Sequence, residues 1–178
     1  MAPAFIAEFE AGSKRWNSKP HGVDLSVIAE ISSNETVMEQ NMLVPGDLRS
    51  APQEMWSHDA YTCTLAEADR PFEAKLSFVA GAGKLSALVT WFVADMGGGD
   101  VLTNAVDAPT THWGQMLFPL DRTVEVGEGT PIRAELRCEP SAPGTCEFYW
   151  SVQIGDSPVE EHDTRRTAGL FRDELYKG

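Results

Sequence analysis

Two hydrophobic periods run along this chain, and the change between them falls near residue 54. Between residues 24 and 42, apolar positions recur at three- and four-residue spacing. Asp24 caps a predicted helix over 25–31, with Leu25, Val27 and Ile28 among its apolar residues. Asn34 caps a second predicted helix over 35–42, whose apolar residues are Val37, Met38 and Met42. Ahead of them, Phe5, Ala7 and Phe9 alternate with Ile6 and Glu8, which predicts a short strand over 2–11, then a polar loop over 12–22. Pro45-Gly46-Asp47 and Ser50-Ala51-Pro52 break the chain afterwards. Two small amphipathic helices with so little between them cannot bury both faces alone. They are expected to pack on another surface.

From residue 54 the period is two. A strand is predicted over 55–65 and another over 72–80, where Phe72, Ala74, Leu76 and Phe78 alternate with polar residues; Gly81-Ala82-Gly83 then predicts a tight hairpin. The stretch 85–94 is apolar nearly throughout and should form the most central strand. Gly97-Gly98-Gly99 lacks both a following helix and a Lys-Ser/Thr pair, so it is a turn and not a phosphate loop. Short strands follow over 101–106, 115–120 and 123–126. Beyond the Gly127-Glu128-Gly129 turn, Ile132, Ala134, Leu136 and Cys138 alternate with Arg133, Glu135 and Arg137. After a loop over 140–145, the return strand 146–154 puts Cys146, Phe148, Trp150, Val152 and Ile154 on one side. The tail, 156–178, is charged, with a short helix predicted over 167–176. The fold class is therefore mainly β: an antiparallel barrel or sandwich forming a single domain over 1–178, with a small helical arm over 23–50 near the N-terminus.

Composition narrows what such a domain can do. Its 178 residues are 42% hydrophobic, enough for one core, and 14 basic against 27 acidic side chains leave a formal charge of −13. That charge argues against nucleic acid or an anionic membrane as partner and suits a basic one. The longest apolar run, 87–94, is short of the ~20 residues of a membrane span. Met1 to Ala7 lacks the basic start of a secretory leader. Cys63, Cys138 and Cys146 make neither an even disulfide framework nor a metal spacing, so reduced thiols in a cytoplasmic protein are expected, with no metal. Cys138 and Cys146 fall on two strands of one predicted hairpin.

Self-contained catalysis finds no support. Gly-x-Ser-x-Gly, His-Glu-x-x-His, Cys-x-x-Cys and a helix-opening Gly-x-Gly-x-x-Gly are all missing from the sequence. His58 and Asp59, on one predicted strand, face opposite ways, and Glu160-Glu161-His162-Asp163 reads as solvated charge. One stretch differs: a Pro-bounded turn, Pro109-Thr110, delivers Thr111-His112-Trp113 at the mouth of an apolar run. An imidazole there can pair with a carboxylate near neutral pH, and the indole offers a face to a guanidinium.

Three segments in order carry a resemblance. Gly22-Val23-Asp24-Leu25-Ser26, Pro109-Thr110-Thr111-His112-Trp113-Gly114-Gln115 and Val124-Glu125-Val126-Gly127-Glu128-Gly129-Thr130 resemble the dimerisation-arm opening, the Thr-His-Trp loop and the following strand turn of protein arginine methyltransferases. The likeness covers residues 4–155, the C-terminal barrel half of that family. It implies that His112 pairs with a carboxylate of the cofactor half and that Trp113, with Thr111, lines the guanidinium pocket. It further implies that residues 23–50, through Leu25, Val27, Ile28, Val37, Met38 and Met42, dock on a partner. The family's Gly-rich S-adenosylmethionine loop and its two guanidinium-gripping glutamates have no counterpart among these residues. The resemblance thus implies a substrate-binding and dimerisation barrel, inactive alone, that needs a separate S-adenosylmethionine-binding half and takes an Arg-rich protein or a small guanidine. Its expected state is a homo- or hetero-oligomer. Another role is a non-catalytic adaptor or regulatory pseudo-subunit, and a third is an unrelated sandwich that binds sugar or peptide.

Overall fold

The computed structural model describes residues 1–39, 43–142 and 145–167. Among these, two four-stranded antiparallel sheets face each other as a sandwich. The first has the order β1-β4-β7-β2, from Ala2–Ala4 (β1), Gly83–Thr90 (β4), Gln115–Val126 (β7) and Val37–Glu39 (β2). The second has the order β10-β9-β8-β3, from Glu160–Asp163 (β10), Thr145–Ile154 (β9), Thr130–Ala142 (β8) and Phe72–Ala80 (β3). A separate two-stranded ribbon, Val93–Gly97 (β5) with Asp100–Thr103 (β6), turns through Gly97, Gly98 and Gly99, all at positive φ. The sandwich is open at its edges, not closed into a barrel.

Burial explains the two kinds of strand in the sequence. Strand β3 alternates strictly because one face meets the core and the other meets water. Strand β4 is buried at every position from Leu85 to Thr90, and mostly apolar there, because both of its faces are covered. Leu85 and Leu88 join Phe78, Phe118, Ile132, Leu136 and Trp150 in the cluster between the sheets. Ala87 and Val89 face the other way, onto Ala2, Ala4, Ile6, Leu43 and Leu117. Trp150 is fully buried and donates its indole N–H to the Pro119 carbonyl at 2.9 Å. Truncating such a residue costs about 3–5 kcal/mol. The register of β7 against β4 shifts between Leu85 and Ala87, which is where the pattern broke the segment at residues 121–122.

Several local expectations are corrected. The strand predicted over 2–11 ends at Ala4, and helix α1 (Ala7–Asn17) takes the rest of it and most of the predicted loop. Apolar Ile6 and Phe9 are three apart and so share a helical face, Glu8 and Glu10 sit in the first turn, and Lys14 and Arg15 sit in the last, where each charge suits the macrodipole. The buried Ser86 hydroxyl accepts from the Ile6 N–H at 2.6 Å and pins the start. Helix α2 (Ser26–Ser33) forms where a helix was expected over 25–31, but its N-cap is Leu25; Asp24 lies one residue ahead and accepts from the Ser26 N–H at 3.1 Å. The second arm helix does not form: Val37–Glu39 is instead edge strand β2, paired with β7, since Val37 gains burial and the backbone gains a ladder. Met42 lies outside the described residues.

The strand predicted over 55–65 is absent; this stretch loops over the second sheet and ends in a short helix, α3 (Leu65–Ala68), capped by Thr64. Nor is 81–83 a hairpin turn. Strands β3 and β4 lie in different sheets, and the link crosses between them, with the Gly81 N–H donating to the Arg49 carbonyl at 2.7 Å. Gly83 sits at φ +142, where a Cβ would stand 3.1 Å from Arg49 Nε. The charged tail is not all solvated: Glu160–Asp163 is strand β10, and His162 within it is fully buried against Trp150. Residues 168–176 of the predicted tail helix lie outside the described residues, as do 143–144 of the β8–β9 connection.

Candidate functional site

The Thr111-His112-Trp113 segment leads into β7 at the end of the first sheet, beside the β5–β6 ribbon. Local hydrogen bonds shape it: the Thr111 hydroxyl accepts from the Trp113 N–H and donates to the Trp113 carbonyl, both at 3.3 Å. Such a turn holds the two rings outward. The imidazole of His112 and the indole of Trp113 lie 4.1 Å apart, tilted by 36°. Behind them the Phe92 ring meets Trp113 edge-on at 5.7 Å and 83°. With its edge supported in this way, Trp113 keeps 43% of its surface exposed.

The loop is anchored by two buried amides. Asn104 donates to the Gly114 carbonyl and accepts from the Phe92 N–H at 2.9 Å, tying the loop to the link between β4 and the ribbon. Gln115 donates to the Asn104 carbonyl at 2.7 Å. Thr103 closes the set by donating to the Phe92 carbonyl at 2.6 Å. Every one of these contacts fixes backbone that carries the exposed rings, so the rings are presented on a rigid platform. Asn104 and Phe92 were not among the residues singled out from the sequence. An asparagine inside the apolar run 101–106 was the available signal, since a buried amide needs partners.

Chemically, an exposed indole with an imidazole beside it can receive a flat cation. It offers no nucleophile among those side chains. The one glycine-rich stretch, Gly97–Gly99, turns a β-ribbon and does not open a helix, so it presents no N-terminal donors to a ligand.

The arm meets the loop's end of the first sheet through β2, where Met38 is registered opposite Met116 and Glu39 opposite Gln115. Val27 and Met38 are 55% and 65% exposed, Leu25 and Ile28 are partly exposed on α2, and Val37 is half-buried against the first sheet. Val23 and Val44 are exposed as well, at 53% and 58%.

Comparison with known proteins gives consistent matches. The family model for the arginine methyltransferase oligomerization subdomain matches residues 2–150. Protein arginine N-methyltransferase 6 of Xenopus laevis is 28% identical over 149 residues, covering 79% of this chain and 44% of that protein. An arginine N(omega)-methyltransferase of Streptomyces achromogenes subsp. streptozoticus is 42% identical over 67 residues, 37% of this chain and 19% of that protein. The chain thus spans less than half the length of these curated relatives. Among solved structures, the Trypanosoma brucei PRMT1 enzyme–prozyme heterotetrameric complex with AdoHcy superposes with TM-score 0.73 at 16% identity, over 91% of this chain and 54% of that one. Arabidopsis thaliana protein arginine methyltransferase 10 superposes with TM-score 0.63 at 18% identity, over 91% and 56% of the two chains. At such identities the likeness to both structures concerns the fold.

Proposed function

The chain belongs to the arginine methyltransferase family through its oligomerization subdomain, and from that premise we propose that it supplies the guanidinium-facing wall and the docking arm of an arginine N-methyltransferase. The observation that carries this reading is the platform itself. Two buried amides hold an exposed Trp113 beside His112 in a subdomain whose relatives methylate arginine. Trp113 stacks on the flat face of the substrate guanidinium, and Arg is the cation best suited to that contact. His112 pairs with a carboxylate of the cofactor domain and so fixes the distance between the two halves. Thr111 sets the angle of both rings through its turn. S-adenosylmethionine, when bound, supplies the methyl group, and the residues that hold it come from a domain outside these 178 residues.

Docking falls to residues 23–50. Val27 and Met38, with Leu25, Ile28 and Val37 beneath them, present an apolar surface to the cofactor domain of a partner subunit. An oligomer is the state that the oligomerization subdomain supports. The localisation proposed is cytoplasmic, which suits three free cysteines; among the described residues no helix is long and apolar enough to cross a membrane.

Methyl transfer tests the proposal. The chain is mixed with a cofactor-binding methyltransferase domain, S-adenosylmethionine and an Arg-rich peptide. Transfer is expected in the mixture, reduced about 2- to 30-fold by Trp113→Ala, the range of a single cation–π contact. His112→Ala should weaken association of the two halves. Stable association without any transfer would replace this reading with that of a regulatory subunit, and transfer unaffected by either variant would overturn the roles given to the loop.

A further inference from the structure

A cleft of about 620 Å³ opens between Pro140, Ser141, Thr145 and Cys146 of β8 and β9 and the loop that carries Trp56, Asp69 and Arg70, and the Thr-His-Trp residues are not in its lining. Trp56 and Phe72, stacked at 5.4 Å, form its apolar wall, and Asp69 and Arg70 place one charge of each sign at its rim. Two thiols line it, Cys138 and Cys146, both free. Cys138 is registered opposite Phe148 and Cys146 opposite Pro140, so the two cysteines are diagonal neighbours on one face of the second sheet. Cys138 is buried and Cys146 is exposed, which gives the pair an outer and an inner member.

A pair of thiols on adjacent strands of one sheet face, one reachable and one shielded, in a cleft with room for a small peptide, is the arrangement of a capturing and a resolving cysteine. We propose that Cys146 and Cys138 form a dithiol site that is oxidised by a low-molecular-weight peptide disulfide of the glutathione type. The carboxylate and ammonium groups of such a peptide complement Arg70 and Asp69. In the first step the Cys146 thiolate attacks one sulfur of the small disulfide. A mixed disulfide forms, and the other half leaves as a thiolate that takes up the proton Cys146 gave. In the second step Cys138, losing its own proton, attacks the Cys146 sulfur and expels the second half as a thiol. Two protein thiols become one disulfide, and one small disulfide becomes two thiols.

The second step is the slower one. Burial, with the neighbouring Cys146 thiol behind it, pushes the Cys138 thiol up to about 12. Diagonal neighbours also start roughly 7–8 Å apart at Cα, so closing the bond draws the strand ends together by about 1–2 Å. The ladder gives way at this place, since its register shifts between Pro140 and Ala142. The mixed disulfide on Cys146 therefore accumulates before the internal one, and its resolution quickens as pH rises.

The test is incubation of the full chain with oxidised glutathione, followed by intact mass, native thiol titration and peptide mapping. The expected course is a single adduct on Cys146 with loss of one of the three free thiols, then release of the adduct with loss of a second. Cys138→Ser and Cys138→Val should both stop at the adduct, Cys146→Ser should form none above the rate of Cys63, and Arg70→Ala should slow capture several-fold. Mapping a Cys138–Cys146 link in the unaltered protein supports the proposal without relying on any variant. Equal modification of Cys63 and Cys146, or adduct release in the Cys138 variants as fast as in the unaltered chain, would overturn it. None of these readouts depends on methyl transfer.

Discussion

Asn104 does more for the loop that carries His112 and Trp113 than any residue within that loop. Its amide nitrogen holds Gly114, its amide oxygen holds Phe92, and its backbone carbonyl receives Gln115. All of these partners are backbone groups or a second amide, and Asn104 is itself buried. Asn104→Ala leaves the Phe92 N–H and the Gly114 carbonyl without those partners. A loss of about 1–3 kcal/mol is expected, each buried unpaired group carrying its full desolvation cost. In a domain of this length that lowers the melting temperature by about 2–4 °C per kcal/mol. Asn104→Asp, which restores the acceptor to Phe92 but not the donor to Gly114, should fall between the two. A melting temperature unchanged in Asn104→Ala would show that the loop is held by its own turn. Thr111, His112 and Trp113 were legible in the sequence because a short motif names itself. Asn104 was not, because its partners are main-chain atoms that no spacing rule reveals.

At the scale of elements, the long strands were legible and the short ones were not. Strands β3, β8 and β9 each have one wet face, so period two shows directly, and β4 declares itself by being apolar on both faces. Elements of three or four residues carry no period. Strand β2 was read as a helix, and β10 as free charge, because each owes its place to a neighbouring ladder that the local residues do not announce. Within β10, His162 makes the point. Its ring lies parallel to Trp150 at 4.9 Å and 8°, fully buried. Among the described residues neither ring nitrogen has a hydrogen-bond partner, the carboxylates of Asp121 and Glu160 standing 4.0 and 3.9 Å away. A buried polar ring without partners costs stability. His162→Leu, close in volume and without those nitrogens, is therefore expected to melt at the same temperature as the unaltered chain or up to several degrees higher. A drop of several degrees in a thermal melt near neutral pH would mean that the two carboxylates stabilise the ring more than its desolvation costs. Beyond β9, the strand also reaches the base of the arm: the Asp163 N–H donates to Asn34 Oδ1 at 2.9 Å, and the Thr167 hydroxyl donates to Glu35. The residues past the family match thus tie α2 to the second sheet.

For the whole molecule, charge is the property that no single element explains. A net −13 over 178 residues gives the chain a predominantly negative long-range field. For the function proposed above, that field acts on the approach of an Arg-rich peptide, while Trp113 acts after contact. The two effects separate kinetically, because steering raises the association rate and a desolvated contact lowers the dissociation rate. Raising ionic strength from about 0.01 M to 1 M shortens the Debye length from ~30 Å to ~3 Å and removes long-range steering. Stopped-flow mixing of a labelled Arg-rich peptide with the chain and its cofactor domain should then show association slowing by about tenfold or more. Trp113→Ala should leave that salt dependence intact and speed dissociation instead. An association rate flat across this range would show that the acidity serves the solubility of the chain and plays no part in gathering a basic substrate.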